Sequence, residues 1–155
     1  MDELIQRFYA AFARKDGDAM AACYAPDARF SDPVFGELRG AEPGAMWRML
    51  TAQASDLGIE IVEHASDPDN GTGTARWIAR YTFTQTGRPV INEVRARFRF
   101  AGGLIAEHDD AFSFYAWSRQ ALGTPGLLLG WTPMLRASVR RRARGRLERF
   151  MAADA

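Results

Sequence analysis

One cysteine, one lysine and two histidines are all that this 155-residue chain carries of the residues most used for crosslinks, amine chemistry and metal binding. Cys23 standing alone excludes an intrachain disulfide and a thiolate metal cluster, and it reads as a buried, inert thiol in a reducing compartment. No apolar run reaches the ~20 residues that span a bilayer. The start, Met1-Asp2-Glu3-Leu4-Ile5, has no basic stretch ahead of an apolar one. A cytoplasmic protein without stable membrane insertion is expected. A Gly-rich phosphate loop, a Gly-x-Ser-x-Gly nucleophile elbow and a Cys/His dyad are missing too, which removes the commonest nucleotide-binding and covalent-hydrolase readings.

The remaining composition, 47% hydrophobic and 25% charged, is that of an ordinary globular domain. A chain near this length buries roughly 70% of its unfolded surface, so it needs no crosslink. Net charge is only +1, yet it is unevenly placed. From Arg136 onward seven arginines face Glu148 and Asp154, a net of +5, which leaves −4 for residues 1–135. The near-exclusive use of arginine, with Lys15 the only lysine, suggests a GC-rich bacterial genome.

Leu4, Ile5, Phe8, Tyr9 and Phe12 recur at helical spacing and predict an amphipathic first helix ending near Lys15-Asp16-Gly17. Asp18 can cap a short second helix that stops before Pro26. A short strand, Arg29-Phe30-Ser31-Asp32, runs into Pro33. Gly36 to Gly44 reads as a loop, and a third helix carries Met46, Trp47, Met49 and Leu50. The period then changes to two. Ile59–His64, Thr74–Thr86, Val90–Phe100 and Leu104–Tyr115 are strand candidates joined by short turns, which implies antiparallel neighbours.

Parity sorts their faces. Val94, Ala96, Phe98 and Phe100 oppose Arg95, Arg97 and Arg99; Trp77, Ala79, Tyr81 and Phe83 oppose Arg76 and Arg80. On the last strand the inward set is Leu104, Ala106, His108, Asp110, Phe112 and Phe114, which puts two ionisable groups on an apolar stripe. Beyond Tyr115 come a helical segment to Leu122, an apolar stretch punctuated by glycine and proline, and a last helix. That helix has Leu135, Val139, Ala143, Leu147 and Met151 near one face and arginines elsewhere.

A helix, a short helix, a Phe-x-Asp-Pro strand, a helix and four antiparallel strands, over roughly residues 2–115, resemble the cone-shaped fold of the nuclear transport factor two-like superfamily. That superfamily includes ketosteroid isomerase, limonene epoxide hydrolase and the SnoaL-like polyketide cyclases. The resemblance rests on Gln6-Arg7-Phe8, Asp16-Gly17-Asp18, Phe30-Ser31-Asp32-Pro33-Val34, Phe98-Arg99-Phe100 and Gly103-Leu104-Ile105-Ala106-Glu107-His108-Asp109-Asp110. It implies an α+β, cystatin-like fold, a curved antiparallel sheet wrapped around N-terminal helices, with a C-terminal helical extension. The division expected is 1–116 for the cone and 117–155 for the extension. It also implies a homodimer formed through the outer face of the sheet.

Asp32 aligns with the proton-shuttling carboxylate of ketosteroid isomerase, but that enzyme's two oxyanion donors fall on Phe8 and Ala96, with Tyr9 turned about 100° from Phe8 on the helix. The epoxide hydrolase's arginine and second aspartate fall on Trp77 and Ala79. The closest local likeness is to SnoaL-like cyclases, whose last strand often reads Glu-His-x-Asp, as Glu107-His108-Asp109-Asp110 does. There the strand aspartate is the base on an activated carbon acid and no cofactor is used.

A carboxylate in an apolar pocket loses hydration, which raises its pKa and suits it to proton abstraction. Asp110 is the first candidate for that base, with His108 and Asp32 assisting. A small hydrophobic ligand would be lined by Phe30, Trp47, Trp77, Tyr81, Phe98 and Phe112. The alternatives are specific. His108 and Asp110 can form a buried polar pair meeting a tryptophan or tyrosine, Asp32-Pro33 can be turn chemistry, and the aromatics can be core. The whole can be a noncatalytic binding or dimerisation module. A metal on Asp32, His108 and Asp110 lacks a second inward histidine and is not expected. The basic last helix is expected to pack on the domain or on a second subunit rather than lie on an anionic membrane or bind nucleic acid. The stretch carrying Leu127, Leu128, Leu129 and Trp131 can cap the mouth of the cone.

Overall fold

The first of two N-terminal helices carries an apolar stripe that the rest of the chain must cover. The computed structural model describes residues 1–155. In α1 (Asp2–Ala13) the residues Leu4, Ile5, Phe8, Tyr9, Ala11 and Phe12 are all buried, a stripe wide enough to take in both Phe8 and Tyr9. Helix α2 (Gly17–Ala21) is capped by Asp16, not Asp18, whose side chain accepts from the Ala19 N–H; Asp18 sits in the first turn. Cys23 is buried and free.

Six strands follow in one curved, unclosed sheet of order β2-β1-β6-β5-β4-β3. They are β1 (Tyr24–Asp32), β2 (Gly36–Arg39), β3 (Gly58–Asp67), β4 (Thr72–Phe83), β5 (Arg88–Ala101) and β6 (Leu104–Ala111). Helix α3 (Glu42–Gln53) lies between β2 and β3 in sequence. The run β3-β4-β5-β6 is antiparallel as the short turns require, and β1 joins β6 in parallel. Strand β2 replaces the expected loop from Gly36. Asp32 accepts from the Val34 and Phe35 N–H groups, closing a tight turn that folds Gly36–Arg39 back on β1.

The expected parity of β6 fails in its first half. A register shift between the pairs Arg99–Glu107 and Phe100–Ile105 marks a bulge, so Ile105 is fully buried where Leu104 and Ala106 were expected inward. After the bulge His108 and Asp110 recover the inward face. The strand also ends at Ala111, and Phe114 and Tyr115 open a helix capped by Ser113.

Helices α4 (Phe114–Leu122), α5 (Thr124–Leu129) and α6 (Pro133–Ala153) complete the chain. α5 presses on α4 so closely that a Cβ on Gly126 would lie 1.9 Å from the Ser118 carbonyl oxygen, a contact only glycine permits. α6 returns across α3, and its Ala143 and Leu147 enter the main core, which also holds Trp47 and Phe12. Leu127, Leu128, Leu129 and Trp131 are 44–75% exposed and do not line the cavity, so the cap they could have formed is not seen. No helix is long and apolar enough to cross a membrane.

Candidate functional site

The parallel pairing of β1 with β6 builds the site. Phe30 pairs with His108, so Asp32 and Asp110 each lie two residues past the same rung and on the same inward face. Both carboxylates line a cavity of about 200 Å3 between the sheet, α3 and α6. Its apolar walls include Phe12, Trp47, Leu50, Trp77, Val94 and Phe112, and Tyr81 and Asn92 add polar atoms.

Behind Asp110 runs a buried chain of hydrogen bonds. Trp47 Nε1–H donates to the Tyr24 hydroxyl oxygen at 2.8 Å. Tyr24 Oη lies 2.6 Å from His108 Nδ1, and His108 Nε2 lies 2.8 Å from Asp110 Oδ1. Only one assignment satisfies every donor: Tyr24 O–H donates to Nδ1, leaving Nε2 to carry the proton donated to Asp110. His108 is fully buried and packed edge-on against Phe8 and Phe30, with Phe98 at 4.4 Å between ring centroids. Burial also pushes the Tyr24 hydroxyl pKa well up, despite the Trp47 hydrogen bond, so Tyr24 stays a neutral donor.

Three sequence expectations change here. His108, Phe30 and Phe98 do not reach the cavity, because they occupy the closed end of the cone beneath α1 while the cavity begins one rung further along β6. Period two reports a residue's face and not its depth. His108 thus meets Asp110 by a direct hydrogen bond and does not line the cavity. Trp47, Trp77, Tyr81 and Phe112 do line the cavity, together with Asp32 and Asp110.

Asp32 has two occupations. Its Oδ1 closes the turn, and burial, helped by the nearby Asp110 charge, pushes its pKa to about 7 against the opposing pull of the Phe35 and Val34 N–H groups and Arg140. Gly36, at φ +71°, leaves the space that the Arg140 side chain fills; an ideal Cβ there would sit 2.9 Å from Arg140 Nε. Tyr81 Oη accepts from Trp117 Nε1–H at 2.9 Å, so its own proton is free. Trp77 Nε1–H and the Tyr9 hydroxyl are buried without a protein partner, though Tyr9 does not line the cavity.

The sequence reading missed Tyr24, whose role is visible only once β1 is paired with β6. It also missed the side of the cavity lined by Gln53, Thr82, Thr84 and Gln85 and by Val139, Arg142, Ala143 and Arg146 of α6, where Arg146 meets Gln53 and Gln85 at the rim. The hydrophobic spacing of α6 around Ala143 was the available signal, since the wall residues flank the stripe. No group of three or more His, Cys, Asp or Glu side chains is placed to hold a metal ion.

With this geometry established, the chain can be set beside known proteins. Residues 5–108 match the SnoaL-like domain family. A hypothetical protein with a ketosteroid isomerase-like fold from Catenulispora acidiphila, solved in complex with trimethylamine, is 19% identical with a TM-score of 0.68; the alignment covers 84% of this chain and 98% of that one. A putative polyketide cyclase from Xanthomonas campestris pv. campestris is 19% identical, TM-score 0.65, over 77% of this chain and 94% of its own. TerC, co-crystallized with polyporic acid, is 15% identical, TM-score 0.64, over 77% and 95%. At these identities the likeness is one of fold. Among curated proteins none matches the chain.

Proposed function

The chain belongs to the SnoaL-like domain family, and from that premise we propose that its cavity binds a small hydrophobic carbonyl compound and moves a proton on it without a cofactor, as an isomerase or cyclase. One observation carries this reading: Asp110 lines an apolar cavity while His108 holds one of its oxygens, leaving the other for a substrate C–H. The buried chain from Trp47 through Tyr24 and His108 fixes that carboxylate in one orientation, which is what a general base needs.

The rest of the cavity supports the same chemistry. Removing a proton next to a carbonyl builds negative charge on its oxygen, and the free Tyr81 O–H stands as a donor for that charge. Asp32, with a pKa of about 7, holds its proton in a large fraction of molecules near neutrality and can return it as a general acid. In an isomerisation the proton on Asp110 goes back to another carbon. In a cyclisation the enolate carbon attacks a second carbonyl and Asp32 protonates the oxygen that becomes an alkoxide.

The test is proton exchange. Parent protein incubated with a panel of cyclic ketones and 1,3-dicarbonyl compounds in D2O should accelerate α-proton exchange, followed by NMR, for at least one of them. Asp110→Asn keeps an acceptor for His108 and should fold normally, yet lose exchange by about a hundredfold or more. Equal exchange in both proteins would sink the enzymatic reading. The second reading, a noncatalytic ligand-binding module, draws on Phe8 and Ala96, which are fully buried apolar side chains at the positions where ketosteroid isomerase has its oxyanion donors. Native mass spectrometry showing a co-purifying hydrophobic molecule, with no exchange in the parent, would favour it.

A further inference from the structure

The charges of the cavity are sorted by depth. Asp110, 6% exposed, and Asp32 lie on its inner wall, whereas Arg142 and Arg146, one turn apart on α6, stand at its rim beside Gln53 and Gln85. On the outer face of the sheet the arginines Arg76, Arg80 and Arg99 each meet a glutamate at 2.7–3.0 Å. Arg144 on α6 likewise reaches Glu42 at 3.3 Å. Arg142 has no ion-pair or hydrogen-bond partner at all. Arg146 is held only by amides, donating to the side-chain oxygen of Gln53 and facing the amide of Gln85. Neutral amides orient a guanidinium without cancelling its charge. Burial, with Arg149 nearby, also pulls the Arg146 pKa below its ordinary value, as expected of a cation not yet compensated by an anion.

We propose that the ligand of this cavity is amphipathic, an apolar body ending in a carboxylate or comparable anion, and that Arg142 and Arg146 bind that anionic end at the rim. This rests on the proposed use of the cavity for a hydrophobic carbonyl compound and adds its polarity and orientation. The reverse orientation would bring the anion against Asp32 and Asp110, where like charges repel in an apolar setting. With the anion at the rim, the neutral carbonyl end is delivered to the two carboxylates. Arg146 supplies a fixed fork and Arg142 an unengaged one, and a carboxylate accepts two such donors. The extension from α4 onward thereby becomes part of the binding site.

The experiment compares probes that differ in charge alone. Phenylacetate, 3-phenylpropionate and 4-phenylbutyrate are titrated against the full chain beside their uncharged amides, by calorimetry at low salt. At least one acid is expected to bind roughly tenfold more tightly than its amide, the size of one partly desolvated charge pair, with the preference weakening as salt is added. In Arg142→Gln/Arg146→Gln the acid-to-amide ratio should fall to near one, and Arg142→Lys/Arg146→Lys should restore part of it. A parent that binds no acid better than its amide, absence of binding included, overturns the proposal, as does a preference that survives the glutamine pair. The readout is binding and not turnover, so a failure of the proton-transfer reading, seen in Asp110→Asn, is distinguishable from a failure of this one.

Discussion

The inner wall of the cavity and its rim use polar residues in opposite ways. On the inner side, Trp47, Tyr24, His108 and Asp110 form an unbroken series in which each buried donor has an acceptor. At the rim, Arg142 has no partner and Arg146 only amides. A buried polar group without a partner loses its hydration for nothing, so the completeness of the inner series stabilises the fold. A rim group keeps part of its water and is free to meet something from outside. In this cavity the complete series holds the inner wall in shape, while the unpartnered Arg142 at the rim is left open to a ligand.

The largest expected effect comes from breaking the inner series. His108→Leu removes the partner of both the Tyr24 hydroxyl and Asp110, and should lower stability by about 3 kcal/mol or more, read from the urea midpoint. A loss below about 1 kcal/mol would mean that the series is not needed and that the contrast is misdrawn.

Asp32, on the inner wall but outside the hydrogen-bonded series, should show an intermediate effect that depends on pH. Its folded pKa of about 7 lies above the ordinary 3.8, so between these values the folded chain keeps a proton that the unfolded chain has lost. Stability from this group is full below about pH 4 and is lost as pH rises through about 7. Asp56, Asp67, Glu107 and Asp109 are shifted downward and act in the opposite sense at lower pH, losing stability as pH falls. Asp32→Asn retains the acceptor for the Val34 and Phe35 N–H groups, so the parent-minus-variant difference isolates the carboxyl. Melting temperatures from pH 5 to pH 8 should fall more in the parent than in the variant. Parallel curves would show that Asp32 is solvated like a rim group.

The smallest effect is expected at the rim. Arg142→Gln should change stability by no more than about 0.5 kcal/mol in thermal unfolding, since no partner is stranded. A larger loss would show Arg142 to be structural and erase the distinction.

Much of this was legible along the chain. The alternation of Val94, Ala96, Phe98 and Phe100 with arginines gave the face of β5 correctly, and the same parity turned Trp77, Tyr81, His108 and Asp110 inward. It erred at Leu104 and Ala106, where a bulge shifts the register, and at β2, whose return depends on the Asp32 turn. Bulges and turns are set by which strand lies alongside, and a single strand carries no record of its neighbour.

The sequence by itself determined the α+β order of elements, the inward faces of the long strands and the candidacy of Asp110, because side-chain periodicity is a local property that each segment carries alone. Only the tertiary structure decided that Asp32 and Asp110 share a cavity while His108 stands behind it, that Tyr24 completes the buried series, and that α6 rather than the stretch before it forms the rim. Those outcomes depend on the parallel joining of β1 to β6 and the return of α6 over α3, contacts between residues some 80 to 100 positions apart. Their partners are chosen by packing, and no local spacing encodes that choice.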